Sequence, residues 1–119
     1  MYKRSLLSAL AFLLISAKSA YATDMQSEIK HLLAYIADTS CLYERNGTTH
    51  TGPDAVLHIN KKYAHFKDDI DSTERFIELS ATKSTISGQY YYIVCQGKPK
   101  IKSQLWLLQE LQKFRRMNP

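Results

Sequence analysis

Three histidines, His50, His58 and His65, lie close together in the chain, with Lys61 and Lys62 between the last two. On a helix His58 and His65 would share a face two turns apart, a spacing from which two imidazoles can meet one metal ion. The positions where a further His or carboxylate ligand would stand carry Lys61 and Lys62, and ammonium groups repel a cation. Solvated or hydrogen-bonded histidines are therefore expected in place of a zinc or copper site, and no metal or other cofactor is expected. The run Arg45-Asn46-Gly47 with His50 brackets a turn upstream, and Tyr90-Tyr91-Tyr92 lies downstream. Arg45, Asn46, His50, His58 and Tyr91 are the candidate binding residues. Arginine and tyrosine together offer large contact area with polar handles, suited to a small anionic ligand or the backbone of a partner. In the competing reading Arg45, His50 and Glu74 hydrogen-bond internally and fix the fold, and the tyrosine rings pack under helices with their hydroxyls at the rim.

Other chemistry is poorly supported. Asp68, Asp69, Asp71 and Glu74 are grouped, but they lack the alternating oxygen ligands, central glycine and terminal glutamate of a calcium loop, and helix capping accounts for Asp71 and Glu74. Ser84 and Ser87 lie in a polar stretch without the G-x-S-x-G elbow of a serine hydrolase. Glu44 and Glu74 are available as a carboxylate pair, but nothing in their spacing marks them as one. His31 falls on the first helix without a legible partner. Asn46-Gly47-Thr48 matches a glycosylation sequon, which a hairpin turn explains more economically. No catalytic residue is assigned, and a small hydrolase with His50 or His58 as base is the alternative to a binding module.

These groups must be positioned by a small set of elements. Ile29, Leu32, Leu33 and Ile36 recur at helical spacing between Met25 and Asp38, with Glu28, Lys30 and Asp38 on other faces. Cys41 to Arg45 reads as a strand running into Asn46-Gly47, the dipeptide suited to a type I′ turn, with Thr48 to Thr51 returning and His50 opposite Tyr43. Gly52-Pro53-Asp54 opens a second helix carrying Val56, Ile59, Tyr63, Phe66 and Ile70 on one stripe. Asp71-Ser72-Thr73-Glu74 has the form of a capping box and starts a third helix that buries Phe76 and Ile77. Lys83 to Gly88 is a polar loop, and Gln89 to Cys95 is a strand rich in aromatic and β-branched residues, ended by Gly97 and Pro99. A last helix, about Lys102 to Arg116, carries Leu105, Leu108, Leu111 and Phe114, with Trp106 and Leu107 widening its apolar face and Arg115 and Arg116 complementing its C-terminal dipole.

The compartment follows from the first residues. Lys3 and Arg4, the apolar run Leu6 to Ile15, and Ala20-Tyr21-Ala22 make the three parts of a cleavable secretory signal over residues 1–22, leaving a single globular domain over residues 23–119. The apolar run is about 10 residues, half of what a membrane span needs. Lys3, Arg4 and Lys18 leave with the leader, so the net charge of +5 falls by those three charges to +2. A basic stripe for nucleic acid is not expected. Cys41 and Cys95 would be oxidised after export, and without a C-x-x-C the economical reading is one disulfide, worth about 4 kcal/mol for a loop of about 55 residues. With those cysteines facing each other on antiparallel strands, Tyr43 meets Ile93 and Arg45 meets Tyr91. The fold class is α+β, with about four helices packed around a two- or three-stranded antiparallel sheet.

Several ordered motifs carry a resemblance: Arg45-Asn46-Gly47-x-x-His50, Ala55-x-x-His58, Ile70-Asp71-x-Thr73-Glu74-x-Phe76-Ile77, and Ser84-x-x-Ser87-Gly88 followed by Tyr92. Together they resemble the YfeK-like family of small exported bacterial proteins, a domain of unknown function, over most of the chain beyond the leader. The resemblance implies a periplasmic or secreted protein and supplies no activity or catalytic residue to carry over. It also marks the cysteine pair as an elaboration, since members exist without it. The expected role is a non-catalytic periplasmic binding or interaction module, its partner a periplasmic protein, a cell-wall component or a small anionic ligand.

Overall fold

In the computed structural model, which describes residues 23–119, helix α1 (Met25–Asp38) starts where Asp24 accepts a hydrogen bond from the Ser27 amide and turns its Ile29, Leu32 and Ile36 inward. The expected secretory signal, residues 1–22, lies outside the described residues. Strands β1 (Leu42–Arg45) and β2 (Thr48–His50) form a hairpin on Asn46 and Gly47, whose φ angles of 51° and 78° are the paired positive values a type I′ turn requires. Tyr43 lies opposite His50. Helix α2 (Gly52–Phe66) is capped by Thr51 and continues as one 3-10 turn over Lys67–Asp69. Helix α3 (Thr73–Ser80), strands β3 (Tyr92–Val94) and β4 (Ile101–Lys102), and helix α4 (Ser103–Met117) complete the chain. Among the described residues no helix is long and apolar enough to cross a membrane.

The sheet is antiparallel throughout, in the order β2-β1-β3-β4. It has four strands where two or three were expected. The additional one, β4, is a two-residue segment directly before α4, too short to leave a periodic signature, and it exists because β3 offers it a partner at Ile93 and Tyr92. The β1 to β3 register pairs Tyr43 with Ile93 and Leu42 with Val94. Continued by one step, it sets Cys41 against Cys95, and these form the disulfide. Alternation then sends Tyr43, Tyr91 and Ile93 into the core under the helices, while Tyr90 stays exposed and Tyr92 half-buried. Lys102 and Lys100 lie over the latter two rings, 4.1 and 4.3 Å from their centroids.

Three local expectations are corrected. Ser72, not Asp71, caps α3, accepting from the Arg75 amide, so Glu74 falls one position short of a capping box and turns to Arg115. Helix α4 buries Ser103, Leu107 and Leu111, and Leu105 is 51% exposed; its apolar residues cover more than half the helix surface, so the sequence left its rotation open. Glu28, expected on a polar face, is 3% exposed.

Helices α1 and α2 meet at Gly52, where an added Cβ would lie 2.2 Å from the carbonyl oxygen of Ile36 and 3.0 Å from that of Ala37. Both obstacles are backbone atoms, which a rotamer change cannot move. Gly52→Ala, which stabilises an unhindered position by about 0.4–1 kcal/mol, is here expected to destabilise by about 2 kcal/mol through overpacking. Urea unfolding of the two proteins reads the sign, and a neutral or positive change would show that the helices can separate without cost.

Candidate functional site

Tyr91 anchors the candidate site because its backbone is held on both sides. Its amide donates to the Thr82 carbonyl at 2.9 Å and its carbonyl accepts from the Ser103 amide at 2.9 Å. The ring is buried between Tyr43 and His58, edge-on to each. Its hydroxyl reaches the edge of a cleft of about 220 Å³ formed with Arg45 and Asn46 of the hairpin, His58 and Lys62 of α2, and the loop Ser84 to Ile86. Four of the five residues singled out from sequence therefore line one cleft. His50 does not line it, although its charge is felt at His58. Glu74 is elsewhere, paired with Arg115, so the internal network imagined for Arg45, His50 and Glu74 does not form.

Lys62 Nζ lies 3.4 Å from the Tyr91 hydroxyl and 2.6 Å from the Lys83 carbonyl, and an ammonium can only donate. Tyr91 accepts from Lys62, and its hydroxyl lies 3.0 Å from His58 Nε2, which accepts the Tyr91 proton in the tautomer that leaves that nitrogen unprotonated. Electrostatics agree. Burial first, and then the charges of Arg45, Lys62, His50 and Lys61, hold the His58 imidazole down to about 4. Burial and Arg45 also lower Lys62, and burial raises the Tyr91 hydroxyl although Arg45 opposes it. No Asp or Glu lines the cleft to balance Arg45 and Lys62.

The loop that closes one side is ordered by its own serines. Ser84 accepts through Oγ from the Ser87 amide at 3.1 Å and through its carbonyl from Gly88 at 3.0 Å. Ser87 Oγ donates to Asn46 Oδ1 at 2.7 Å, tying the loop to the β1–β2 turn. Gly88 takes φ 76°, which explains a glycine at that corner. Ile86 at the loop tip is 99% exposed. Sequence reasoning treated Lys62 only as a group hostile to metals. The usable signal was its position four residues after His58, one turn along the same face.

A larger cleft of about 380 Å³ lies beside Glu28 and Arg115, lined also by Thr23, Asn118 and Pro119. Its polar groups are already committed to one another. Arg115 Nε and Nη2 donate to the two Glu28 oxygens at 2.8 and 2.9 Å, Thr73 donates at 2.6 Å, and Thr23 also donates. Arg115 donates two further bonds to Glu74, from Nη1 at 2.7 Å and Nη2 at 3.2 Å. This is a network that joins α1, α3 and α4. Among the described residues no group of three His, Cys, Asp or Glu side chains is placed to hold a metal ion. His31 pairs with Glu110 at 2.7 Å and stacks on Phe114, a contact between α1 and α4.

Comparison with known proteins adds a family and no chemistry. A family model described as a family of unknown function, DUF5329, matches residues 23–115. The chain is 33% identical over 67 residues to a Salmonella typhimurium protein bearing the name uncharacterized protein YfeK. That match spans 56% of this chain and 56% of the relative, so the chain covers little more than half of the relative's length. No solved structure matches.

Proposed function

We propose, for a chain that belongs to the DUF5329 family of unknown function, an exported and non-catalytic binding module whose cleft between the β1–β2 hairpin and α2 holds a small anionic group. The observation that carries this reading is the uncompensated positive charge of the cleft: Arg45 and Lys62 both line it, Lys62 3.4 Å from the Tyr91 hydroxyl, with no carboxylate among the lining residues. A buried or half-buried cation without a counter-ion is unfavourable, and an anion arriving there relieves that cost and gains charge-assisted hydrogen bonds. Lys62 is held through the Lys83 carbonyl beside Tyr91, whose backbone is fixed on both sides, so this donor needs little reorganisation on binding. The secretory features of residues 1–22 and the disulfide fit an oxidising compartment outside the cytosol.

A hydrolase fits the same groups less well. His58 held near 4 is a weak base, burial makes Tyr91 reluctant to give up its proton, and His50, the other candidate base, does not line the cleft.

The test uses protein recovered from a bacterial periplasm, with an intact mass expected to start at Thr23. Inorganic phosphate followed by amide chemical shifts is expected to perturb Arg45, His58 and Tyr91. Arg45→Ala and Lys62→Ala should each weaken binding by about 10-fold or more, the scale of one charge-assisted hydrogen bond, with little change in unfolding. Absence of shifts at the cleft, or equal affinity in both variants, would sink the anion reading. A mass starting at Met1 would sink export.

A further inference from the structure

The anion cleft does not end at the Ser84 to Gly88 loop. A second groove, about 270 Å³, lies along the loop's other side, and Lys62, Ser84 and Thr85 line both. Its distinctive residues are Phe66 of α2 and Leu79 of α3, both partly exposed hydrophobics packed on the core. Glu78 and Lys83 stand at this groove with opposite charges, so beyond the shared Lys62 its lining residues carry no net charge; Arg75, outside the lining, pairs with Glu78 at 2.9 Å. Each half alone is smaller than the roughly 300 Å³ of an ordinary small-molecule site. Joined across Lys62 they reach that size. A cationic end and an apolar end, connected by a lysine whose stem can cover apolar surface while its ammonium faces the cleft, call for a ligand with an anion beside an apolar group.

We infer that the two grooves form one bipartite site for the C-terminal end of a peptide, its free carboxylate at Arg45 and Lys62 and its last apolar side chain against Phe66 and Leu79. This rests on the anion reading of the cleft and specifies its ligand. A terminal carboxylate next to a single side chain matches this lining: the second groove offers two apolar side chains, Phe66 and Leu79, among the charged Lys62, Glu78 and Lys83, where an acyl chain would call for a continuous apolar lining.

The experiment keeps the wild-type protein, so that no variant has to fold. An N-acetylated tetrapeptide ending in leucine is titrated as the free acid and as the amide, alongside an otherwise identical acid ending in glycine, inorganic phosphate and decanoate. The leucine acid is expected to shift the amides of Phe66 and Leu79 together with those of Arg45 and Tyr91. It should bind at least 10-fold more tightly than its amide and several-fold more tightly than the glycine acid. Equal affinities of the leucine and glycine acids, with no shift at Phe66 or Leu79, would overturn the bipartite site while phosphate binding kept the anion reading intact. Decanoate moving Phe66 and Leu79 where the peptide does not would overturn the peptide assignment. Loss of every shift, phosphate included, would remove both readings together.

Discussion

Replacing Cys41 and Cys95 together by serine is expected to lower the unfolding free energy by about 4 kcal/mol, the loop-entropy value for cysteines 54 residues apart. The effect is large because the domain is small. A chain of this size has about 5–15 kcal/mol in hand, and strands β1 and β3 are four and three residues long, so few ladder bonds hold them in register. The disulfide lies one step beyond the Leu42 and Val94 pair, at the open end of the ladder, and clamps that register from outside. Urea unfolding of the double variant, with reduced wild type as a control for the serine hydroxyls, measures it. A loss below about 1 kcal/mol would mean that the unfolded chain is already restricted by residual structure, and the clamp would then be redundant.

The second large effect belongs to Glu28 and Arg115. Arg115→Met is expected to destabilise by about 3 kcal/mol at neutral pH, because it leaves a buried carboxylate with only hydroxyl donors. The same pair sets the response to acid. The Arg115 guanidinium first, with help from the Thr23 and Thr73 hydroxyls and against the pull of burial, holds the Glu28 carboxyl down to about 2 from its ordinary 4.5. The unfolded chain therefore takes up this proton before the folded one, and the stability that Glu28 contributes above pH 4.5 is lost as pH falls toward 2. His58 acts earlier with the same sign. Its folded value near 4 lies below the ordinary 6.5, so the unfolded chain binds its proton first and stability declines from about pH 6.5 toward 4. Urea midpoints measured from pH 7 to 2.5 should fall through both windows in the wild type, and Glu28→Gln should flatten the lower one alone. Parallel curves for the two proteins below pH 4.5 would contradict the assignment to Glu28.

The legible part of this fold lay in residues whose effect is local or whose partner is named by chemistry. Asn46-Gly47 adopts the positive φ pair because Asn and Gly tolerate it, and the turn alone places His50 opposite Tyr43. The two cysteines of this chain have only each other as disulfide partners, and that single long-range pairing implies the β1 to β3 register down to Tyr43 and Ile93. The same register, extended, puts Arg45 near Tyr91, so half of the residues lining the candidate cleft could be named from the sequence.

The remainder depended on which surfaces meet. Glu28 looks like a solvent-facing residue of α1, and only Arg115, 87 residues away, together with Thr73, makes its burial tolerable. Leu105 and Leu107 are equal candidates for the core by composition, and the docking of α4 against α1, α3 and the sheet decides between them. Strand β4 has no pattern of its own to read and forms because β3 has a free edge. Lys62 becomes a binding candidate only when α2 brings it against Tyr91 and the Lys83 carbonyl. Backbone preferences and a covalent link act along the chain or name their own partner, and so can be read from it. Burial of charge, helix rotation and cleft composition are properties of surfaces brought together from distant segments, and they come into being only when the chain has packed.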